Sequence, residues 1–330
     1  MTRSGLSQSL IAVLFVGAVF AAGCKQQSSD AVVVIPKGTT HEFWKSVHAG
    51  AEKAGQELGI KVIWKGPLRE DDREEQIKVV ENFVTMKVKG IALAPLDSTA
   101  LVPVVSDAAR AGVPVVIFDS DLKTDQKLSY VATDNYKGGT LAGQHVGELL
   151  GGKGDIAVLR YAEGSESTQQ REQGFLDAVA KFPGIRVVSS NQYGGATMES
   201  AFKASENLLA AYKSGGGLAL QAIFTPNEST TFGMLRALED SGLGGKVHLV
   251  GFDSSPKLIE WMRKGFLDAT VVQDPMQMGY LSVKALYAHL HQQPVEKRID
   301  TGATLITKAN MDEPRSKELL SPDIKKWLKE

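Results

Sequence analysis

The chain has 330 residues, a formal net charge of −1 and 43% hydrophobic residues, which is typical of a globular protein with room for two ordinary domains. It has no basic stripe and no strong charge excess, so we expect no nucleic-acid partner. Its single cysteine, Cys24, rules out an internal disulfide and a cysteine-based zinc site.

The first 23 residues predict a lipoprotein signal peptide. Arg3 precedes the apolar run LIAVLFVGAVFAA, residues 10–22, which is shorter than the roughly 20 residues of a membrane span and fits a secretory signal. The sequence AAGC that ends at Cys24 resembles a bacterial lipoprotein processing site. We therefore expect lipidation at Cys24, a polar tether over residues 24–30, and a mature chain anchored to a bacterial membrane in the periplasm or cell envelope. An incidental free cysteine is the alternative.

From residue 31 onward, apolar runs alternate with amphipathic helical patterns. The predicted strands are, in chain order, AVVVI, KVIW, GIALAP, VPVVIF and LSYVAT before residue 134, then DIAVLR, IRVVSS, QAIFT, KVHLVGF and ATVVQ. Stretches such as FWKSVHAGAEKAGQELG carry apolar residues at helical spacing and end on glycine. Strands that are apolar at nearly every residue are typical of parallel sheets covered on both faces. The pattern predicts an α/β protein with two doubly wound parallel-sheet lobes.

Candidate binding residues follow from the strand ends, because open parallel sheets bind ligands beyond the carboxyl ends of their strands. The first polar residues after the apolar runs are Lys37, Asp119, Asp134 with Asn135, Asn227, Asp253 and Gln273, and Arg171 opens a helix after another loop. Such carboxylates, amides and cations match sugar hydroxyls, which both donate and accept hydrogen bonds. Taken singly, each Asp, Asn or Gln has an alternative role as a helix cap or turn former.

The loop that carries Lys37 also contains His41, Phe43 and Trp44. Such a loop could form a zinc site, a phosphate cradle or a sugar site. A zinc site lacks a third ligand, since His41 and His48 stand seven residues apart and HEFWK is not a His-Glu-x-x-His motif. A phosphate cradle is not indicated either: the one string resembling it, GELLGGKG, leads from a helix into a strand. We expect no metal and no cofactor, and we interpret the two aromatic rings as a cover for the apolar face of a sugar.

In combination, these motifs resemble the type 1 periplasmic binding proteins, the ribose-binding-like subunits of ABC importers, over residues 31–310. HEFWKSVHAGAEKAGQELG is similar to the family's first loop and helix, and ATDNYKGG to its hinge segment. REQGF, FTPNESTTFGMLRAL, VGFDSSP and VVQDPMQMGY are similar to the segments that hold its later ligand-contacting residues. The resemblance implies that Asn135, Arg171, Asn227, Asp253 and Gln273 bind ligand.

The resemblance also implies a domain organisation. Three hinge crossings, near residues 134, 274 and 303, would divide the chain into an N-terminal lobe, 31–133 plus 275–303, and a C-terminal lobe, 134–274 plus 304–330. A monomer would trap a small neutral sugar between the lobes and deliver it to the permease of an ABC importer.

Two departures bear on the ligand. Ser120 stands where the family has an arginine after Asp119, and no second-lobe aromatic occurs near Ala196. VIPKGT, KGPLREDD and FDSD are more similar to the binding proteins for rhamnose and for the furanosyl signal autoinducer-2, in which a lysine corresponding to Lys37 contacts the ligand. The alternatives are therefore a sensor for such a ligand, a periplasmic sugar-processing enzyme and, disfavoured by the signal-like N-terminus, the effector domain of a repressor.

Overall fold

The computed structural model describes residues 31–328. Cys24, the signal peptide and the tether predicted from the sequence lie outside the described residues. Within them, no helix is both long enough and apolar enough to cross a membrane.

Strands and helices alternate along residues 31–328, as the apolar runs predict. The strands are β1 (Ala31–Ile35), β2 (Lys61–Trp64), β3 (Gly90–Leu93), β4 (Val115–Phe118), β5 (Ser129–Ala132), β6 (Lys153–Arg160), β7 (Gly184–Tyr193), β8 (Lys213–Ser214), β9 (Gly217–Leu218), β10 (Ala222–Phe224), β11 (His248–Phe252), β12 (Ala269–Gln273), β13 (Arg298–Asp300) and β14 (Ala303–Thr307). The helices are α1 (Glu42–Leu58), α2 (Arg73–Thr85), α3 (Val102–Arg110), α4 (Asn135–Leu149), α5 (Glu166–Val179), α6 (Met198–Ala211), α7 (Glu228–Asp240), α8 (Pro256–Lys264), α9 (Pro275–Leu290) and α10 (Pro314–Leu320).

Two six-stranded sheets define two lobes. The first lobe is built on the strand order β13-β5-β4-β3-β1-β2, with every pair parallel. The second lobe is built on the order β14-β12-β11-β10-β6-β7, in which only β14 runs antiparallel to its neighbour β12. The predicted α/β fold with two parallel-sheet lobes is confirmed.

Each sheet is buried between two layers of helices, which is why its strands are apolar at nearly every residue. In the first lobe, α1 and α9 pack together on one face and α2 and α3 on the other. In the second lobe, the pairs α4–α5 and α6–α7 cover opposite faces. Phe175 and Phe224 stack in one of these layers with ring centroids 4.2 Å apart.

The chain passes between the two sheets at three places. Thr133 and Asp134 connect β5 to α4, Asp274 connects β12 to α9, and residues 301–302 connect β13 to β14. Polar contacts tie these segments together: the Thr133 hydroxyl donates to the Gly302 carbonyl, 3.0 Å away, and Arg315 pairs with Asp274 at 2.6 Å. Three adjacent connections of this kind can act as a hinge.

All ten strands predicted from apolar runs occur, as β1–β7 and β10–β12. Four further strands were not predicted from the sequence: β13, β14 and the short hairpin β8–β9. Apart from the buried Ile306, their residues are half-buried or exposed, so hydrophobic periodicity gave no signal for them.

Candidate functional site

The carboxyl ends of the strands of both sheets point toward one small cavity between the lobes. Its lining comprises Lys37, His41, Phe43, Trp44, Glu70 and Asp119 from the first lobe, and Tyr161, Ser167, Thr168, Arg171, Asn227, Glu228, Asp253 and Gln273 from the second. Nine of the ten binding residues predicted from the sequence therefore line one cavity. The tenth, Asn135, lies behind it and holds Arg171.

Lys37 forms the cationic centre of the first-lobe side. Its side chain is buried, and Nζ lies 2.8 Å from Asp119 Oδ2. The same ammonium donates to the hydroxyls of Ser120 at 2.6 Å and Ser167 at 3.2 Å, and Ser120 donates to Ser167 at 2.7 Å. Because Ser167 belongs to the second lobe, this network also joins the two lobes.

Arg171 occupies the centre of the second-lobe side. Its Nε donates to Asn135 Oδ1 at 2.9 Å, its Nη1 donates to the Pro226 carbonyl at 3.0 Å, and its guanidinium lies 4.1 Å from the ring centroid of Phe252. Asp119 and Asp253 are each 4.0 Å from this guanidinium. Nη2 is buried without a hydrogen-bond partner among the described residues, and is therefore available to a ligand oxygen.

Asp119 and Asp253 both have left-handed backbone conformations, with φ of 62° and 68°. This region is uncommon for residues other than glycine, and such strain concentrates at ligand sites. Asp253 Oδ1 accepts from Gln273 Nε2 at 2.6 Å, and its Oδ2 accepts from the backbone N–H of Glu228 at 2.9 Å. The Gln273 side-chain oxygen is another buried atom with no partner within residues 31–328.

Glu70 organises the aromatic end of the cavity. One carboxylate oxygen lies 2.6 Å from His41 Nδ1 and accepts from Trp44 Nε1 at 2.5 Å. The other oxygen accepts from the Tyr161 hydroxyl at 2.6 Å. Since Tyr161 comes from the second lobe, Glu70 fixes the orientation of wall residues from both lobes. Phe43 packs edge-on against Trp44, with ring centroids 4.8 Å apart.

Burial and charge pairing shift several pKa values in this cavity. For His41, burial opposes protonation, but the adjacent Glu70 carboxylate outweighs it and raises the pKa to about 9. For Glu70, burial is outweighed by His41 and Lys37, which hold the pKa at about 2. Burial raises the pKa of Glu228 to about 7, and it also raises that of Asp253 despite the Arg171 guanidinium beside it.

The acidic and basic side chains of the cavity nearly cancel. Lys37, His41 and Arg171 face four carboxyl groups, of which Glu228 has a pKa near neutrality. An ionic ligand would therefore find no net opposite charge, whereas a neutral ligand rich in hydroxyls would find donors and acceptors on every side. No cluster of His, Cys, Asp or Glu within residues 31–328 is arranged to hold a metal ion.

Five residues of the cavity lining were not identified from the sequence, namely Glu70, Tyr161, Ser167, Thr168 and Glu228. Tyr161 is the first residue after β6, so the strand-end rule would have found it had it been applied there. It supplies a second-lobe aromatic in place of the one expected near Ala196, where Tyr193 is exposed and does not line the cavity. Glu70 lies in the loop after β2, and no local pattern distinguishes it from the neighbouring charged residues in LREDD.

Asn227 also has the alternative role considered for single strand-end residues. Its side chain caps α7 by accepting from the backbone N–H of Thr230 at 3.3 Å. The same side chain lines the cavity, so the capping role and the predicted binding role are compatible.

Comparison with known proteins assigns the family. Residues 32–294 match the periplasmic binding protein domain family, and the chain belongs to this family. The ribose import binding protein of Bacillus subtilis is 29% identical over 80% of this chain and 83% of that protein. The D-allose-binding periplasmic protein of Escherichia coli is 28% identical over 77% of this chain and 82% of that protein. These relatives are sugar-binding transport proteins.

Solved structures agree with this assignment. An ABC transporter solute-binding protein from Agrobacterium vitis with bound D-fucose is 37% identical, with a TM-score of 0.83 over 88% of this chain and 99% of that one. A carbohydrate transporter solute-binding protein from Agrobacterium radiobacter in complex with D-arabinose is 33% identical, with a TM-score of 0.84 over 89% and 99%.

Proposed function

We propose that this chain is the solute-binding subunit of an ABC importer and that it traps a small neutral sugar between its two lobes. The observation that carries the proposal is the cavity itself, in which both lobes contribute hydrogen-bonding groups, the charges nearly cancel and aromatic side chains form one end. The sugar-bound structures of similar proteins support the same ligand class.

Each of the ten residues predicted from the sequence would have a role in sugar binding that follows from its side-chain chemistry. Asp119 and Asp253 would accept hydrogen bonds from sugar hydroxyls, and Lys37 and Arg171 would donate hydrogen bonds to sugar oxygens. The amides Asn227 and Gln273 would donate or accept. Phe43 and Trp44 would cover the C–H face of the ring, with His41 beside them. Asn135 would act through Arg171, which it holds in place.

Binding would require the lobes to separate and close again. The cavity has a volume of about 30 Å³, which is room for about one or two water molecules rather than a sugar ring. The described conformation is therefore a closed one. A sugar would enter after opening at the three hinge connections, and reclosure would exclude water and strengthen its polar contacts.

Thermal-shift screening of the protein against monosaccharides and furanosyl diols tests the proposed function. We expect a neutral pentose, hexose or deoxyhexose to raise the melting temperature, and the Arg171→Ala variant to lose that shift. A response only to furanosyl diols would favour the alternative hypothesis, a sensor for a furanosyl ligand. Release of sugar from candidate glycosides would favour an enzyme, and no response to any of these compounds would contradict the proposal.

The remaining proposals concern location and assembly. Cys24 would carry a lipid that anchors a monomeric protein in the periplasm or cell envelope, where it would meet the membrane-embedded permease. Labelling cells with a radioactive fatty acid tests the anchor. We expect label on the native protein and none on Cys24→Ser, and an unlabelled native protein would refute lipidation.

A further inference from the structure

The amino terminus of α1 is capped from the opposite lobe. His41 stands at the N-cap position and makes no side-chain hydrogen bond to the helix. The backbone N–H groups of Glu42 and Phe43, in the first turn, have no partner within a helix. Both donate to the carboxylate of Glu228, at 3.4 Å to Oε1 and 3.2 Å to Oε2. Glu228 is the first residue of α7, in the second lobe.

The environment of Glu228 suits such a bridging contact. Its side chain is buried and lies at the amino ends of two helices, α1 and α7, where a helix favours negative charge. His41 adds a positive charge from the first lobe. The backbone N–H of Glu228 donates to Asp253 at 2.9 Å. Glu228 therefore connects Asp253, in the cavity wall, to α1, the helix that carries Phe43 and Trp44.

We propose that Glu228 is an interlobe latch, a positioning residue that fixes the amino terminus of α1 against the second lobe when the lobes close and that couples closure to the uptake of a proton. This inference rests on the proposed function, since it concerns closure around the same site. Opening at the hinge would separate Glu228 from Glu42 and Phe43 and return its carboxylate to water.

The direction of the proton coupling follows from the burial of Glu228 in the closed state. The titratable groups facing it are His41 from the first lobe and Asp253 from the loop after β11. Burial raises its pKa from an ordinary 4.5 to about 7, and an exposed carboxyl in the open state would return to the lower value. Closure is then most favourable below pH 4.5 and weakens as the pH rises toward 7. Burial lowers the pKa of His41, and the Glu70 carboxylate outweighs it. Because Glu70 belongs to the same lobe, opening keeps this pair, and His41 stays charged in both states.

Amide hydrogen exchange at Glu42 and Phe43 tests the latch in the closed protein, at saturation with whichever of D-ribose, D-allose, D-arabinose and D-fucose binds. First-turn amides of a helix ordinarily exchange fast because they lack an intrahelical partner. We expect both amides to be protected in the native protein and to lose at least tenfold of that protection in Glu228→Ala. The matched control is Thr197→Ala, which removes the cap of α6 within the second lobe and should leave both amides protected. Unprotected amides in the native protein, or equal protection in Glu228→Ala, would overturn the latch.

A pH series tests the proton coupling. The dissociation constants of D-ribose, D-allose, D-arabinose and D-fucose are measured by calorimetry between pH 5 and 8. For a sugar that binds, we expect roughly 10- to 40-fold weaker binding at pH 7 than at pH 5. Glu228→Gln, which keeps one acceptor oxygen but does not titrate, should flatten this profile, and Thr197→Ala should retain it.

A native profile that matches that of Glu228→Gln would overturn the coupling, even if the sugar binds tightly. If none of the four sugars binds, the proposed function and the expected opening of the sugar-free protein both lose their support, and the exchange comparison on the protein alone then decides whether Glu228 caps α1. Failure of the inference and failure of the proposed function are thus distinguishable.

Discussion

The two lobes place an aspartate at the same point of each sheet but surround it differently. Asp119 follows β4 and Asp253 follows β11, both with positive φ, and each carboxylate lies 4.0 Å from the same guanidinium of Arg171. Asp119 has a second cation, Lys37, at 2.8 Å. Asp253 instead accepts from the amide of Gln273 and a backbone N–H, and burial raises its pKa.

This difference shows how one fold can make two unlike halves of a binding site. The first lobe carries its own cations, so its aspartate is paired within the lobe. The second lobe has one guanidinium near Asp253, and that guanidinium is shared with the first lobe when the lobes are closed. We therefore rank the two cationic side chains, Arg171 and Lys37, by the number of aspartates that lie near each one.

Arg171 should be the most costly polar side chain to remove. Arg171→Ala would leave Asp253 buried without a nearby cation and would weaken the environment of Asp119. We expect a loss of about 2–5 kcal/mol in sugar binding, on the scale of truncating one member of a buried charge pair, or roughly 30-fold to over a thousandfold in affinity. Calorimetry measures it, with Arg186→Ala as control, because Arg186 makes an exposed pair with Asp155.

Lys37 should rank second, because it makes a close ion pair with Asp119 alone, whereas the Arg171 guanidinium lies near Asp119 and Asp253. Lys37 lies in the cavity wall and is 3% exposed. We expect Lys37→Ala to weaken binding by about 2–4 kcal/mol. Lys203→Ala, which removes an exposed lysine paired with Glu199, should change affinity by less than about 0.5 kcal/mol. If Lys37→Ala weakened binding by less than about 1 kcal/mol, the proposed difference between the two lobes, a second cation beside Asp119, would have no role in binding.

Trp44 tests the aromatic end of the first lobe. If its ring covers the face of the sugar, Trp44→Ala should cost about 1–3 kcal/mol of binding, on the scale of stacking on a flat ligand. Trp64→Ala is the matched control in the same lobe, since Trp64 stacks on His48 and does not line the cavity. Equal affinity of the Trp44→Ala variant and the native protein would contradict the stacking role.

Glu70 should give the smallest effect on binding and a distinct effect of pH on folding. Its pKa is held at about 2 when folded, against an ordinary 4.5. The stability it contributes is therefore complete above pH 4.5 and is lost as the pH falls toward 2. Glu70→Gln should weaken binding by about 1 kcal/mol through looser wall residues and should show a shallower fall in melting temperature between pH 5 and 3. Glu52→Gln, at a half-exposed pair with His48, should keep the native slope.

The sequence predicted the fold well, because continuous apolar strands and helical periodicity are local signals. It also predicted the strand-end residues, because parallel sheets bring those ends together. It did not predict Glu70 or Glu228, since their roles depend on contacts across the cavity: Glu70 accepts from Tyr161, and Glu228 accepts from α1. Neither contact leaves a pattern in the residues around it.

Small-angle X-ray scattering with and without sugar tests most directly whether the lobes trap a ligand between them. The closed cavity is too small to admit a sugar ring, so the sugar-free protein must open. We predict a larger radius of gyration without sugar than at saturation, for whichever of D-ribose, D-allose, D-arabinose and D-fucose gives a calorimetric titration. An unchanged radius of gyration, with binding established by calorimetry on the same sample, would contradict the interlobe trap.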